Sequence, residues 1–174
     1  MALMLLTAAP GVLAADYLTK GEIELIQFYQ EVDARMEIYT TAIDRRLLVI
    51  DGTENLSEKA RKRLEKQNEK YGELPEGDAS KMVSDIENIL DEAINKIDDA
   101  ADRGTDTKEF KRAVHLLADY SKGLLLKLSQ LENEAKFERD RSVISTAEDF
   151  CNQIIEAAKK IERISEKDMK KKRT

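Results

Sequence analysis

The chain has 174 residues, 37% of them charged and 41% hydrophobic, and a formal net charge of −6. Its length fits one domain, and the mixture fits a helical protein with solvated outer faces. The acidic balance argues against general nucleic-acid binding, and a single cysteine excludes an internal disulfide.

Residues 1–14 differ from everything after them. Met1 to Ala15 carries no charged side chain: an apolar run, Leu3 to Leu6, precedes Pro10-Gly11 and then Val12-Leu13-Ala14. Small residues before a cut after Ala14 predict a signal peptide over 1–14, with Lys or Arg missing from a truncated start. The run is too short to span a bilayer. The expected address is therefore periplasmic or secreted. The alternative is an apolar segment folded onto a cytoplasmic protein.

The first helical stripe runs from Glu22 to Ile50. Leu25, Phe28, Tyr29, Val32, Met36, Tyr39, Ile43, Leu47 and Ile50 recur at steps of three and four, within one sector of a helix. Thr19 is placed to cap it, and Asp51-Gly52 to stop it. Asp51 to Ala79 then forms a long connection. Within it, Ser57 to Tyr71 reads as a charged helix with only Ala60, Leu64 and Tyr71 on an apolar line. Such a helix is marginal alone, so it is expected to dock loosely on one end of the fold or to move. Gly72, Pro75 and Gly77 break it.

The second stripe is Met82, Ile86, Ile89, Leu90, Ala93, Ile97 and Ala100, capped by Ser80 or Asp78 and ended by Gly104. The third is Phe110, Ala113, Val114, Leu117, Tyr120, Leu124, Leu128 and Leu131, with Asp106 and Glu109 at capping-box spacing. The fourth is Val143, Ile144, Ala147, Phe150, Cys151, Ile154, Ala158 and Ile161. It joins the third somewhere in Asn133 to Arg141, where no Gly or Pro marks a turn. Four rods of roughly 25–30 residues predict an all-α, antiparallel up-down-up-down four-helix bundle over 15–166, with 167–174 as a basic disordered tail.

Reactive chemistry is sparse on these stripes. The only histidine, His115, points away from the third stripe, toward solvent, with Asp119 one turn along as a partner. Glu-x-x-His pairs and Cys-x-x-Cys-His are absent, which excludes di-iron and c-type haem bundles. Cys151 lies within the fourth stripe, where a thiol behaves as a small hydrophobe. Gly72 to Gly77 has the glycine spacing of a phosphate loop, but Asp78-Ala79 follows where Lys and Ser or Thr are needed. Asp98, Asp99, Asp102, Asp106 and Glu109 surround Gly104. Ala101, Arg103 and Phe110 occupy ligand positions of the corresponding calcium loop, so no EF-hand forms, and Asp99, Asp102 and Asp106 remain weak metal candidates. Asn55-Leu56-Ser57 is a glycosylation sequon.

Two basic stretches stand out: Lys59, Arg61, Lys62, Arg63, Lys66 and Lys70, and the tail from Lys167 to Arg173. Both suit a solvated face and a frayed terminus, with attachment to an anionic surface (for the tail above all) or to an acidic partner as the alternative. Ile23, Ile26, Ile38, Leu48, Val49, Leu116 and Leu126 lie off the main seams. They mark either a dimer surface or wider buried faces. The expected function is non-catalytic: binding another protein, self-association or structural packing. No cofactor, catalytic residue or transmembrane helix is expected. The competing reading is a bundle that binds a small ligand or a weak metal ion.

Overall fold

A computed structural model of the chain describes residues 16–164. The predicted signal peptide over 1–14 and the basic tail over 167–174 lie outside the described residues. Those residues form six α-helices and no strand: α1 (Lys20–Phe28), α2 (Val32–Asp51), α3 (Glu58–Tyr71), α4 (Ala79–Asp102), α5 (Lys108–Glu134) and α6 (Glu138–Ala158). None of these helices is long and apolar enough to cross a membrane.

The expected first rod is two helices. α1 ends at Phe28, and both Tyr29 and Glu31 take extended backbone conformations before α2 begins. The apolar stripe runs through this break unchanged, so periodicity alone could not show it. Arg35 Nε donates to the Tyr29 carbonyl at 2.8 Å, replacing a helical bond that the break removes. The break lets α1 fold back along α2, which places Glu22 beside Arg46. Thr19 and Glu22 form a capping box that fixes where α1 starts.

The long helices hold the core. Every residue of the second stripe, from Met82 to Ala100, is buried on α4. On α5, Phe110, Ala113, Val114, Leu117, Leu124, Leu128 and Leu131 are buried, and Tyr120 is half-buried. On α6, Ile144, Ala147, Cys151, Ile154 and Ala158 are buried. Asp78 caps α4 through the Lys81 amide, while Ser80 instead donates to Asp140 at the start of α6. α5 is capped by the Thr107 hydroxyl, not by Asp106. The join between α5 and α6 is Ala135 to Phe137, inside the predicted window.

Cross-helix contacts give the directions. Tyr39 meets Glu92 and Arg46 meets Asp85, so α2 and α4 run antiparallel. Asp33 meets Arg112, Asp44 meets Tyr120 and Asp51 meets Lys127, so α2 and α5 run parallel as neighbours. α4 and α6 also start together, at Ser80 and Asp140. α5 and α6 are antiparallel, as their short link requires. Direction thus alternates along the chain, yet two neighbouring pairs are parallel. The cause is the link Arg103 to Thr107: α4 packs mainly on α2 and α6, α5 packs mainly on the same two helices, and the link carries the chain between helices that touch each other little. Ion pairs at two levels, with the Tyr120–Asp44 hydrogen bond between them, favour the parallel α2–α5 contact.

The off-seam apolar residues mostly mark wider burial. Ile26 and Ile38 are buried and Ile23, Leu48, Val49 and Leu116 half-buried, whereas Leu126 is 73% exposed.

Candidate functional site

The least expected feature is a buried charge network where α1, α2, α4 and the end of α3 meet. Arg45 and Arg46 are each 1% exposed, Glu22 is fully enclosed and Asp85 nearly so. Arg46 Nη1 donates to Glu22 Oε1 at 2.7 Å and to the Ala42 carbonyl at 2.9 Å, and its other Nη donates to the Tyr17 carbonyl. Arg45 reaches the opposite way. Its guanidinium donates to Asn68 Oδ1 and to the carbonyls of Gly72 and Glu73, and lies 5.8 Å from the centre of the Tyr71 ring. The two Nε atoms make no hydrogen bond; they face Glu22 at 3.4 Å and Asp85 at 3.9 Å as ion pairs.

Lys81 Nζ closes the network, donating to both oxygens of Asp85 at 2.9 and 2.8 Å. Three cations therefore meet two carboxylates, and backbone carbonyls with the Asn68 side chain accept from the other guanidinium Nη groups. Burial pushes the Asp85 carboxyl upward, and Lys81 and Arg46 hold it back. Burial lowers the Arg45 guanidinium, and Glu22 offsets part of that. Next to this network, the hydroxyls of Tyr17 and Tyr39 both donate to Glu92 at 2.8 Å. Burial and then the Glu92 carboxylate push both phenols up, so they stay protonated.

This arrangement is committed to holding helices. Both carboxylates already accept charged donors from within it. Arg45 and Arg46 were legible in one respect: Arg46 follows Tyr39 and Ile43 on the main α2 stripe, where a charge needs a buried partner. Glu22 was visible as the third residue after Thr19, the position a capping box reserves for Glu. That these residues meet depends on the break at Tyr29, which carries no local signal.

The residues picked from the sequence are scattered. His115 is half-buried, not solvent-facing, and its Nε2 lies 3.0 Å from the Ile161 carbonyl. The chain after α6 folds back over that side of α5, which periodicity on α5 alone could not foresee. Asp119 pairs with Lys122 and Arg163 instead of His115. Cys151 is fully buried beside Ser121, and burial pushes its thiol up to about 11. Asp99, Asp102 and Asp106 are all exposed; Asp99 faces Lys96 at 3.9 Å and Asp106 faces Lys111 at 4.0 Å. Among the described residues, no three His, Cys, Asp or Glu side chains come together to hold a metal ion.

Two grooves open at the end of the molecule where α4 and α6 begin. One, of about 680 Å³, is lined by Tyr17, Lys81, Asn88 and Arg139, among others. The other, of about 370 Å³, has a mainly apolar wall that includes Ile50, Val83, Leu131 and Ile144, edged by Asp78, Ser80, Glu134, Lys136 and Asp140. Phe137 is 65% exposed and forms part of both walls.

Compared with models of protein families, with curated proteins and with solved structures, the chain matches none.

Proposed function

We propose that this chain is an exported, non-catalytic four-helix bundle that works by binding another protein or by packing into a larger structure. The observation that carries this reading is Phe137. An aromatic side chain left in water forgoes about 1.5–3 kcal/mol of burial, and here it stands between an apolar groove and a polar one. A partner that inserts apolar side chains beside Phe137 recovers that burial, while Lys81, Arg139 and Asp140 form a polar rim. The buried charge network supports the same reading, because it fixes the helices that carry this end.

The test is affinity capture from the extracytoplasmic fraction of the native host, with wild-type chain and with Phe137→Ala. A partner retained by wild type and lost with Phe137→Ala supports the reading. A protein found in the cytosol would remove the address, and equal capture by both forms would remove the Phe137 surface.

A second reading, a small polar ligand in the larger groove, is favoured by that groove's size, which falls within the ~300–1,000 Å³ range of ligand sites. Mass analysis of natively purified protein that shows no bound species would remove it. The weak metal reading at Asp99, Asp102 and Asp106 is tested by calcium calorimetry, where a flat titration disposes of it.

A further inference from the structure

Charge is sorted along two outer helix faces. On α3, Lys59, Lys62, Arg63, Lys66 and Lys70 are exposed and share one face, since steps of three, four and seven return to the same side of a helix. Lys59, Lys62, Arg63 and Lys66 line a groove of about 540 Å³ with Ser57 and Ala60, and no carboxylate lines it. Lys62 pairs with Glu58, whereas Lys59 and Lys66 form no ion pair among the described residues. Lys70 is exposed as a residue, although its ammonium sits over the Tyr29 and Tyr71 rings.

α4 presents the opposite sign. Asp91, Asp98 and Asp102 are exposed on one face, with half-buried Glu87 one turn before Asp91. None of the four forms an ion pair among the described residues, and Asp91 accepts only from Asn95. The two faces share a register: Lys59, Lys66 and Lys70 step by seven and then four, as do Asp91, Asp98 and Asp102. Each set spans about 16 Å of helix.

We propose that the Lys59–Lys66–Lys70 face of α3 in one molecule docks on the Asp91–Asp98–Asp102 face of α4 in a second copy of this chain. The inference rests on reading the protein as an interaction protein, and names a partner for it. The two faces differ, so the contact is head-to-tail, and each added copy leaves one face of each sign open. Nucleic acid and membrane fit the α3 face less well. Only Lys70 has aromatic companions, Tyr29 and Tyr71, with exposed Phe28 edge-on to Tyr29; along the rest of the stripe Leu64 is half-buried, and Glu58, Glu65 and Glu69 flank the cations. Exposed ion pairs each contribute little and are screened by salt, so association is expected at high protein concentration and low ionic strength.

Sedimentation velocity of the full chain tests this, at ~0.02 M and ~0.5 M ionic strength. The mass is expected to rise with concentration in low salt and return to that of the monomer in high salt. The triple variant Lys59→Glu, Lys66→Glu, Lys70→Glu is expected to stay monomeric, as is Asp91→Lys, Asp98→Lys, Asp102→Lys. Combining all six reversals restores complementarity and is expected to restore association. The α4 variant leaves α3 intact, so the test survives if the α3 variant frays, which circular dichroism would show. A wild type that stays monomeric throughout, association indifferent to salt, or a six-residue variant that fails to associate while folded overturns the proposal. A monomeric wild type does so without touching the Phe137 reading, which the capture experiment addresses.

Discussion

Cys151 shows how burial alone sets the chemistry of a side chain. It has no exposed surface, and burial raises its thiol from the usual range to about 11. The folded state therefore holds the proton more tightly than the unfolded chain does. Stability from this group is complete below the ordinary thiol value of 9.0 and is lost as pH rises from there to about 11. The loss is on the order of 2 kcal/mol. Urea midpoints from pH 8 to 11 are expected to fall for wild type and to fall less for Cys151→Ala. Native protein at pH 8 is also expected to resist thiol alkylation until unfolded. Rapid native labelling would show that the α6 seam is open. The sequence placed Cys151 correctly because its surroundings repeat every three or four residues. His115 was misplaced because its neighbour, Ile161, lies on a segment that follows α6.

The helices divide into those made by periodicity and those made by a few charges. α4, α5 and α6 were legible because their apolar stripes are long, although no Gly or Pro marked the α5–α6 join and the fourth stripe ran on to Ile161, past the end of α6. α1 and α3 were not. Their docking depends on Glu22, Arg45, Arg46 and Thr19, which meet only after the chain breaks at Tyr29. Replacing Glu22 with Gln removes the carboxylate that Arg45 and Arg46 share, leaving Arg45 with no anionic partner in the network and Arg46 with only Asp85 at 3.9 Å. It is expected to cost about 3–5 kcal/mol, read from thermal or urea unfolding. A change below 1 kcal/mol would mean the network is wet and not holding these helices.

Glycines sharpen the same contrast. A Cβ at Gly21 would collide with the Tyr71 carbonyl, which is backbone that cannot swing aside, so Gly21→Ala is expected to destabilise by separating α1 from α3. Gly123 sits within α5, where a Cβ would meet nothing within 4 Å. Gly123→Ala is expected to stabilise the monomer by about 0.5–1 kcal/mol, the helix-propensity difference. Like signs for the two substitutions would contradict this account of the α1–α3 contact.

At the scale of the molecule, these differences predict unequal stability. The long helices α2, α4, α5 and α6 share one apolar core. α3 fully buries only Tyr71, with Ala60, Leu64, Gln67 and Asn68 half-buried; its attachment includes the Arg45 fork to Asn68, Gly72 and Glu73, the Thr19 bond to the Tyr71 carbonyl and Lys70 over the Tyr29 ring. The sequence reads this charged helix as marginal alone and loosely docked or mobile; the bonds at its C-terminal end are what would hold it. Removing α3 exposes little apolar surface, whereas removing α4 exposes the core. Native-state hydrogen exchange is therefore expected to show α3 amides opening well below the global unfolding free energy, as a separate cooperative unit. The amides of α2, α4, α5 and α6 are expected to share the global value. Glu22→Gln is expected to lower protection in α1 and α3 first, because Arg45 and Arg46 lose the carboxylate that joins them. If α3 instead exchanges only with the whole protein, the fork holds it as firmly as the core holds the rest. The α3 cationic face would then be presented by a rigid element throughout the life of the fold.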